Sequence, residues 1–443
     1  MKNIFLLLFV CQYFTSNGQD TFIKEIDNAN YFDQSSITAT NDKGWLILAK
    51  TSVDLIKYNQ CGGLEWSKSF DITNQNCCIG TQIVLGPLDQ IYLLSREPVG
   101  PQDMGYRITA LTNIGDVIWS KSYAQSGVDY FPYSLMMDEM GDLIVFANIT
   151  GTGTGFSTLT KLHTNGNIKW SKKYDNGGTW GEAIITQDTG VLMRRGDEFI
   201  KVDSAGGVEW ATQITSSSTY YYSAPVEVSD GYIFTKQVQG GQGTIFYKMD
   251  KQGNMLFGGG QNYTLSETAN PLRNAPNGNF VTIFNTNTTS PTASSLVIEF
   301  DKDLNIVKQN AISLNTTNWY VNDLSFTNQN VPVVVGKYVQ PNLQHIVFGK
   351  LDTDYKVGCD SIITPTATFF PSSFNSQPMG VSTNAITPVN RLVVVTNTNL
   401  TDLLSCGNTA VSVVTLANDT VICSGIDLTL QNLSSSSFTN YLW

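Results

Sequence analysis

The sequence predicts an all-β protein: a seven-bladed β-propeller of four-stranded blades, closed by an N-terminal strand and followed by the start of an Ig-like β-sandwich. Three observations predict it. A ten-residue pattern recurs seven times, as in Lys161–Trp170 (KLHTNGNIKW) and Lys201–Trp210 (KVDSAGGVEW). Each copy has the turn chemistry of a β-hairpin, and most have a second hairpin upstream. The composition is that of a β-rich surface with Asn and Gly turns, only 14% of the 443 residues being charged.

The tenth positions are Trp66, Trp119, Trp170, Trp210, Phe257, Lys308 and Cys359, spaced 40 to 53 residues apart. Nine residues upstream stand Lys57, Ala110, Lys161, Lys201, Lys248, Glu299 and Lys350. Between the two positions sits a turn, such as Asn165-Gly166-Asn167 or Gln252-Gly253-Asn254. Upstream turns such as Lys43-Gly44, Gly141-Asp142 and Asn277-Gly278 each precede an apolar run. Two hairpins per ~50 residues give four strands per unit, the period of a propeller blade.

The seventh copy has no Trp-Ser-Lys-like strand after it. The missing strand is at the N-terminus, where Phe22–Ile26 (FIKEI) matches Trp119–Tyr123 (WSKSY) position for position. We therefore expect Phe22–Ile26 to be the outermost strand of the seventh blade and to close the ring, which protects the sheet edges. The repeated Trp is expected to pack between neighbouring blades, with its polar neighbours on the opposite face of the strand.

The flanking segments set the expected organisation. Residues 1–18 read as a secretory signal peptide: Lys2, a mostly apolar run from Ile4 to Phe14, then Ser16 and Gly18 before a cut at Gln19. That run is too short to span a bilayer, and no transmembrane run follows. Residues 19–359 are the propeller. Residues 360–406, rich in Ser, Thr, Asn and Pro, are expected to be a linker or strand pair. Residues 407–443 read as an incomplete Ig-like domain with Cys423 and Trp443, so the chain is expected to be truncated. Export permits disulfides. We expect Cys61 to pair with Cys77 or Cys78, and Cys359 with Cys406.

The blade pattern resembles that of secreted β-propeller surface proteins of Bacteroidota-type bacteria. Their blades read roughly Asp-Gly-Gly-apolar, then Lys-Leu-Asp-x-x-Gly-x-apolar-x-Trp-x-Lys. Lys161–Trp170, Lys201–Trp210 and Lys248–Phe257 match it. The tail from Asp419 to Trp443 is similar to the Ig/PKD-like modules that follow such propellers. The resemblance implies a gliding-motility-associated or type IX secretion class, and attachment to the cell surface through C-terminal domains absent from this sequence.

The chemistry is sparse. A net charge of −11 argues against nucleic acid and anionic membranes. With only His163 and His345, a Ser-His-Asp or Cys-His site is hard to assemble. His163 is expected to be solvated beside a turn, and His345 to sit on a strand. Scattered carboxylates, among them Asp138, Glu139, Asp142, Asp188, Asp197 and Glu198, are the candidates for paired acid–base work. No sialidase box, calcium loop or phosphate-binding loop is complete, and no metal site or cofactor is expected. The one aromatic cluster on an expected loop is Tyr220-Tyr221-Tyr222, the candidate ligand-binding residues. The expected function is therefore non-enzymatic: a secreted or surface-attached adhesion protein that presents a propeller face to a protein or glycan. The alternatives are a carbohydrate-active enzyme with carboxylates at the channel, or a structural spacer.

Overall fold

The computed structural model describes residues 21–27, 35–49, 53–70, 82–98, 103–150, 155–174, 181–214, 223–237, 244–261, 271–285, 295–312, 318–340 and 343–357, and the short strands between 374 and 423. They form seven antiparallel sheets of at least four strands, arranged as a ring of blades, with no α-helix among them. We number the blades by their innermost strands: Ser35–Ala39, Gln82–Leu85, Asp129–Met137, Gly181–Ile185, Val226–Val228, Leu272–Asn274 and Asn318–Phe326. Successive strands of a blade alternate in direction. All turns between first and second strands, and between third and fourth, therefore lie on one face of the ring. Connections between second and third strands, and between blades, lie on the other. We call these the turn face and the loop face.

The described residues share no single core. Seven hydrophobic clusters occupy the seven joints between adjacent blades. The reason is the strand period of two: alternate residues of one blade face its two different neighbours. On Phe22–Asp27, Phe22 and Ile26 face blade 1, whereas Ile23 faces blade 6.

The repeat is explained by register. Its first and tenth residues are cross-strand partners: Lys57 with Trp66, Ala110 with Trp119, Lys161 with Trp170, Lys201 with Trp210, Lys248 with Phe257 and Glu299 with Lys308. In blade 7, Lys350 pairs with Phe22. The N-terminal strand thus closes the ring, with Phe22 in the tryptophan position. It is not outermost, because Thr401–Gly407 pairs along its far edge.

Five short strands of the tail behave alike. Phe374–Ser376 adds to the outer strand of blade 4, Val381–Thr383 to blade 3, Thr387–Asn390 to blade 2, Val395–Asn397 to blade 1 and Thr401–Gly407 to blade 7. The tail is a belt that steps backward around the ring and pairs the edges the outer strands would otherwise leave open. In the stretch expected to begin an Ig-like sandwich, Val413–Leu416 pairs with Thr420–Cys423. The rest of that stretch lies outside the described residues.

Each outer-strand aromatic sits on the turn of the next blade. The turn between third and fourth strands carries Gly62, Gly115, Gly166, Gly206 or Gly253 in blades 1 to 5, all at φ of +75 to +81°. A Cβ on Gly166 would lie 2.9 Å from the Trp119 ring and 2.8 Å from the Tyr123 hydroxyl. Hydrogen bonds complete the joint. Trp119 Nε1 donates to Thr164 O (3.0 Å), Lys121 Nζ to Asn165 O (2.9 Å) and Tyr123 Oη to Gly166 O (2.7 Å). Lys121 also lies 5.7 Å from the Trp119 ring centre, within cation–π range. Blades 6 and 7 are the control. The preceding outer strands bring Phe257 and Lys308 instead of Trp, and the left-handed positions hold Leu304 and Tyr355 instead of Gly.

Gly166→Ala therefore combines a left-handed alanine with a collision against Trp119, and should cost ~2–4 kcal/mol. Gly141→Ala has a similar φ of +81° but open space, so it should cost only ~1 kcal/mol. Urea denaturation of the two variants checks the difference.

Candidate functional site

On the turn face, the first residue of the repeat is a buried lysine held by acids. Lys57 Nζ lies 2.7 Å from Asp42 and 2.9 Å from Glu65. Lys161 meets Asp138 at 2.7 Å, Lys201 meets Asp188 and Glu209 at 2.9 Å each, and Lys248 meets Asp230 at 3.0 Å. A buried ammonium needs such partners. Blade 6 inverts the charge: Glu299 accepts from Asn277, Asn279 and the Tyr355 hydroxyl. Blade 2 has the uncharged Ala110 at this position. The carboxylates Asp138, Asp142 and Asp188 thus belong to these turns. Asp142 also bonds Lys169, and the half-exposed His163 lies 3.7 Å from it.

The loop face is built differently. The second strand of blade 2, Ile91–Pro98, points Leu94 into the joint with blade 3. Arg96, two residues on, follows the same direction. Its Nε donates to Tyr130 O (3.0 Å), and its guanidinium carbon lies 3.7 Å from the centre of the Phe131 ring. Asn285 of blade 6 acts in a comparable way, its Nδ2 donating to Val321 O (3.0 Å) and its Oδ1 accepting from Val321 N (3.1 Å). In both cases the polar end of a second strand clamps the innermost strand of the next blade.

Just beyond the Arg96 clamp, the register of blade 3 shifts between Pro132 and Ser134, leaving Tyr133 as the extra residue of a bulge. Bulges re-aim side chains. The Gln82 side chain holds this one from blade 2. Its amide nitrogen donates to Tyr133 O, and its oxygen accepts from Leu135 N at 2.9 Å. Ser134 Oγ accepts from Ala183 N of blade 4 at 2.9 Å. Tyr133 and Phe131 are half-buried. Burial raises the Tyr133 phenol above its ordinary pKa, and the guanidiniums of Arg96 and Arg194 oppose that shift.

On blade 4, Arg194 stands opposite Glu182 in register, and Glu182 Oε2 is buried with no hydrogen-bond donor among the described residues. The fully buried Arg195 bonds Glu198 through Nε and Nη2 (2.9 and 2.7 Å) and Tyr174 O through Nη1 (3.1 Å). Lys236 of blade 5 is buried, and burial lowers its pKa while the Asp197 charge opposes this. Half-exposed aromatic rings, guanidiniums and the Glu182 carboxylate thus lie on the loop face at blades 2 to 4. Such a set can stack on apolar ligand faces, donate to acceptors and accept from hydroxyls.

Tyr220, Tyr221 and Tyr222 lie outside the described residues, as do Cys77, Cys78 and Cys359. Cys61 is buried in the outer turn of blade 1. Cys406 is placed by its backbone, opposite Ile23. The His345 backbone pairs with Tyr338. Among the described residues, no three His, Cys, Asp or Glu gather as a metal site, and no helix is long and apolar enough to cross a membrane. Sequence reasoning missed Arg96 and Tyr133. Arg96 could have been found, because a charge directly after a run of buried strand residues marks a second-strand end.

No protein-family model and no curated protein sequence matches the chain. Solved structures with a similar fold include a streptogramin B lyase, with 14% identity and a TM-score of 0.49 over 74% of this chain and 97% of that one. A virginiamycin B lyase from Staphylococcus aureus shows 11% identity and a TM-score of 0.48 over 76% and 97%. A polysaccharide lyase shows 10% identity and a TM-score of 0.44 over 74% and 91%. These likenesses concern the β-propeller fold and carry no residue or reaction to this chain.

The turn-face pairs have a titration signature. Burial alone would raise the Asp188 carboxyl, but hydrogen bonds from Thr186, Lys201 and Gly190 overcome it and hold the pKa at about 2. A depressed carboxylate pKa stabilises the fold above the unfolded value near 3.8 and loses that effect as pH falls through about 2. Asp188→Asn should therefore lower the unfolding midpoint at pH 6. The difference from the parent should shrink between pH 4 and pH 2, as thermal scans across that range would show.

Proposed function

We propose that this protein is a secreted or cell-surface binding protein, non-enzymatic, whose loop face engages a protein or glycan partner. The observation that carries this reading is the bulge of blade 3, which holds Tyr133 half-exposed beside Phe131 and its stacked Arg96. A clamped bulge with aromatic rings and a guanidinium suits recognition by stacking and hydrogen bonding. Export rests on the N-terminal segment. The Bacteroidota-type secretion class, the Ig-like module and the surface attachment rest on the resemblance of the repeats and tail.

Extracellular carbohydrate chemistry is the second reading, favoured by one observation: the buried, unfilled oxygen of Glu182 beside Arg194. Glycoside hydrolysis would need a second carboxylate ~5–10 Å away. Of the acids singled out in the sequence, Asp197 stands in a loop-face turn of the same blade, between its second and third strands. Asp138, Asp142 and Asp188 lie on the opposite face, and Glu198 is bound to Arg195.

Glycan-array binding with the whole chain tests both readings. Saturable binding should weaken about tenfold in Tyr133→Ala and in Phe131→Ser, a loss of ~1.4 kcal/mol. Glycan cleavage that Glu182→Gln abolishes would establish the enzyme instead. Binding unchanged in both aromatic variants would remove the blade 3 bulge as the site.

A further inference from the structure

The large exposed hydrophobic side chains are not scattered. Among the described residues, every one lies at the turn-face end of a blade, and most belong to blades 2 and 3. Leu88, at the tip of the inner turn of blade 2, is 91% exposed, and Met140, at the tip of the inner turn of blade 3, is 82% exposed. Ile114, Val117 and Ile118 are exposed on the outer hairpin of blade 2, at the same turn-face end. The two inner turns are neighbours: a Cβ on Gly86 of the first would lie 3.1 Å from the methyl of Met137, just before the second.

Folding does not explain Leu88. It has φ +58° and Asp89 has φ +56°, a left-handed pair that favours Asn-Gly. Leucine is strained there, and its side chain buries almost nothing. The inner turns of blades 1, 3, 4 and 5 carry the acids that hold the buried lysine of their blade. Blade 2, with Ala110 in the lysine position, is released from that constraint and displays a hydrophobe instead. Strain kept for an exposed side chain points to recognition.

The rim selects the occupant. The two turns of blade 2 contain no lysine or arginine but carry Asp89 and Asp116, and the inner turn of blade 3 carries Asp138, Glu139 and Asp142. Lysines answer three of these acids: Lys68 for Asp116, Lys161 for Asp138 and Lys169 for Asp142. Asp89 accepts the Asn41 N–H, which brings no positive charge, and Glu139 is exposed. The patch is therefore apolar, with Asp89 and Glu139 as its border acids outside these pairs and Lys43 exposed on the adjoining turn of blade 1, on a chain of net charge −11. We propose that the turn face of blades 2 and 3 is a docking surface for a basic amphipathic segment of a protein partner, with Leu88 and Met140 as its apolar anchors. This surface is separate from the loop-face site, so the protein can hold one partner on each face.

The probe is a helical peptide of ~14 leucines and lysines in amphipathic order, compared with a leucine–glutamate peptide of the same pattern. Fluorescence anisotropy with the whole chain should show saturable binding of the lysine peptide only. Leu88→Asp with Met140→Asp should weaken it by about tenfold or more. Leu256→Asp, an exposed turn-face leucine on blade 5, should leave it unchanged. Leu88→Gly should raise the unfolding midpoint while weakening binding, a pairing that a structural role for Leu88 would not produce. Equal binding of both peptides would overturn the proposal. So would binding insensitive to the double variant, or a dimer in sedimentation that Leu88→Asp dissolves, which would make a second copy the occupant.

Discussion

The ring depends on one contact repeated from blade to blade: the outer strand of a blade resting on a left-handed turn of the next. A propeller blade cannot bury both of its faces alone, so the joint between blades must be specified. Here the tryptophan position of one blade covers the turn of its neighbour, and the residue two positions later bonds a carbonyl oxygen of that turn through Lys24, Lys121, Thr212 or Asn310. The left-handed residue must be glycine wherever the tryptophan lies on it, as at Gly166 and Gly253. Where Lys308 replaces the tryptophan, Tyr355 occupies that position and sends its hydroxyl to the buried Glu299. Sequence variation along the repeat is thus correlated between neighbouring blades as well as within them.

Closure follows from the same contact. Phe22 occupies the tryptophan position of blade 7, and its ring lies against Gly62 of blade 1, while Lys24 Nζ donates to Gly62 O (2.6 Å). The strand that closes the ring is the first in the chain, and its partners are among the last. Loop-closure entropy makes that pairing the costliest to form. The belt strand Thr401–Gly407 supports it by pairing along the other edge of Phe22–Asp27.

The two faces differ in what they carry. The turn face holds the ionic pairs of the buried lysines in blades 1, 3, 4 and 5, and its most exposed hydrophobes stand on blades 2 and 3. The loop face holds the polar ends of second strands, which reach across joints to fix the innermost strands. Arg96, Gln82 and Tyr133 form one assembly drawn from two blades. Its residues are 51 positions apart between Gln82 and Tyr133, and no local pattern links them.

The propeller, its blade count and its closure were legible in the sequence because a register repeats. A residue pair fixed across a hairpin recurs at a fixed spacing, and Phe22–Ile26 matches that pattern position for position. The packing of tryptophan between blades was legible for the same reason. The belt was not, because four of its five strands are only three or four residues long, too short for a readable periodicity, and their partners lie far away in the chain. Nor was the candidate site. A bulge is one extra residue in a strand, visible only against its partner, and the gathering of Arg96, Tyr133 and Arg194 depends on the placing of three blades side by side. The sequence by itself determined the repeating unit, since hairpin register is local. Only the tertiary structure decided which side chains meet, since every joint, clamp and exposed patch lies between units.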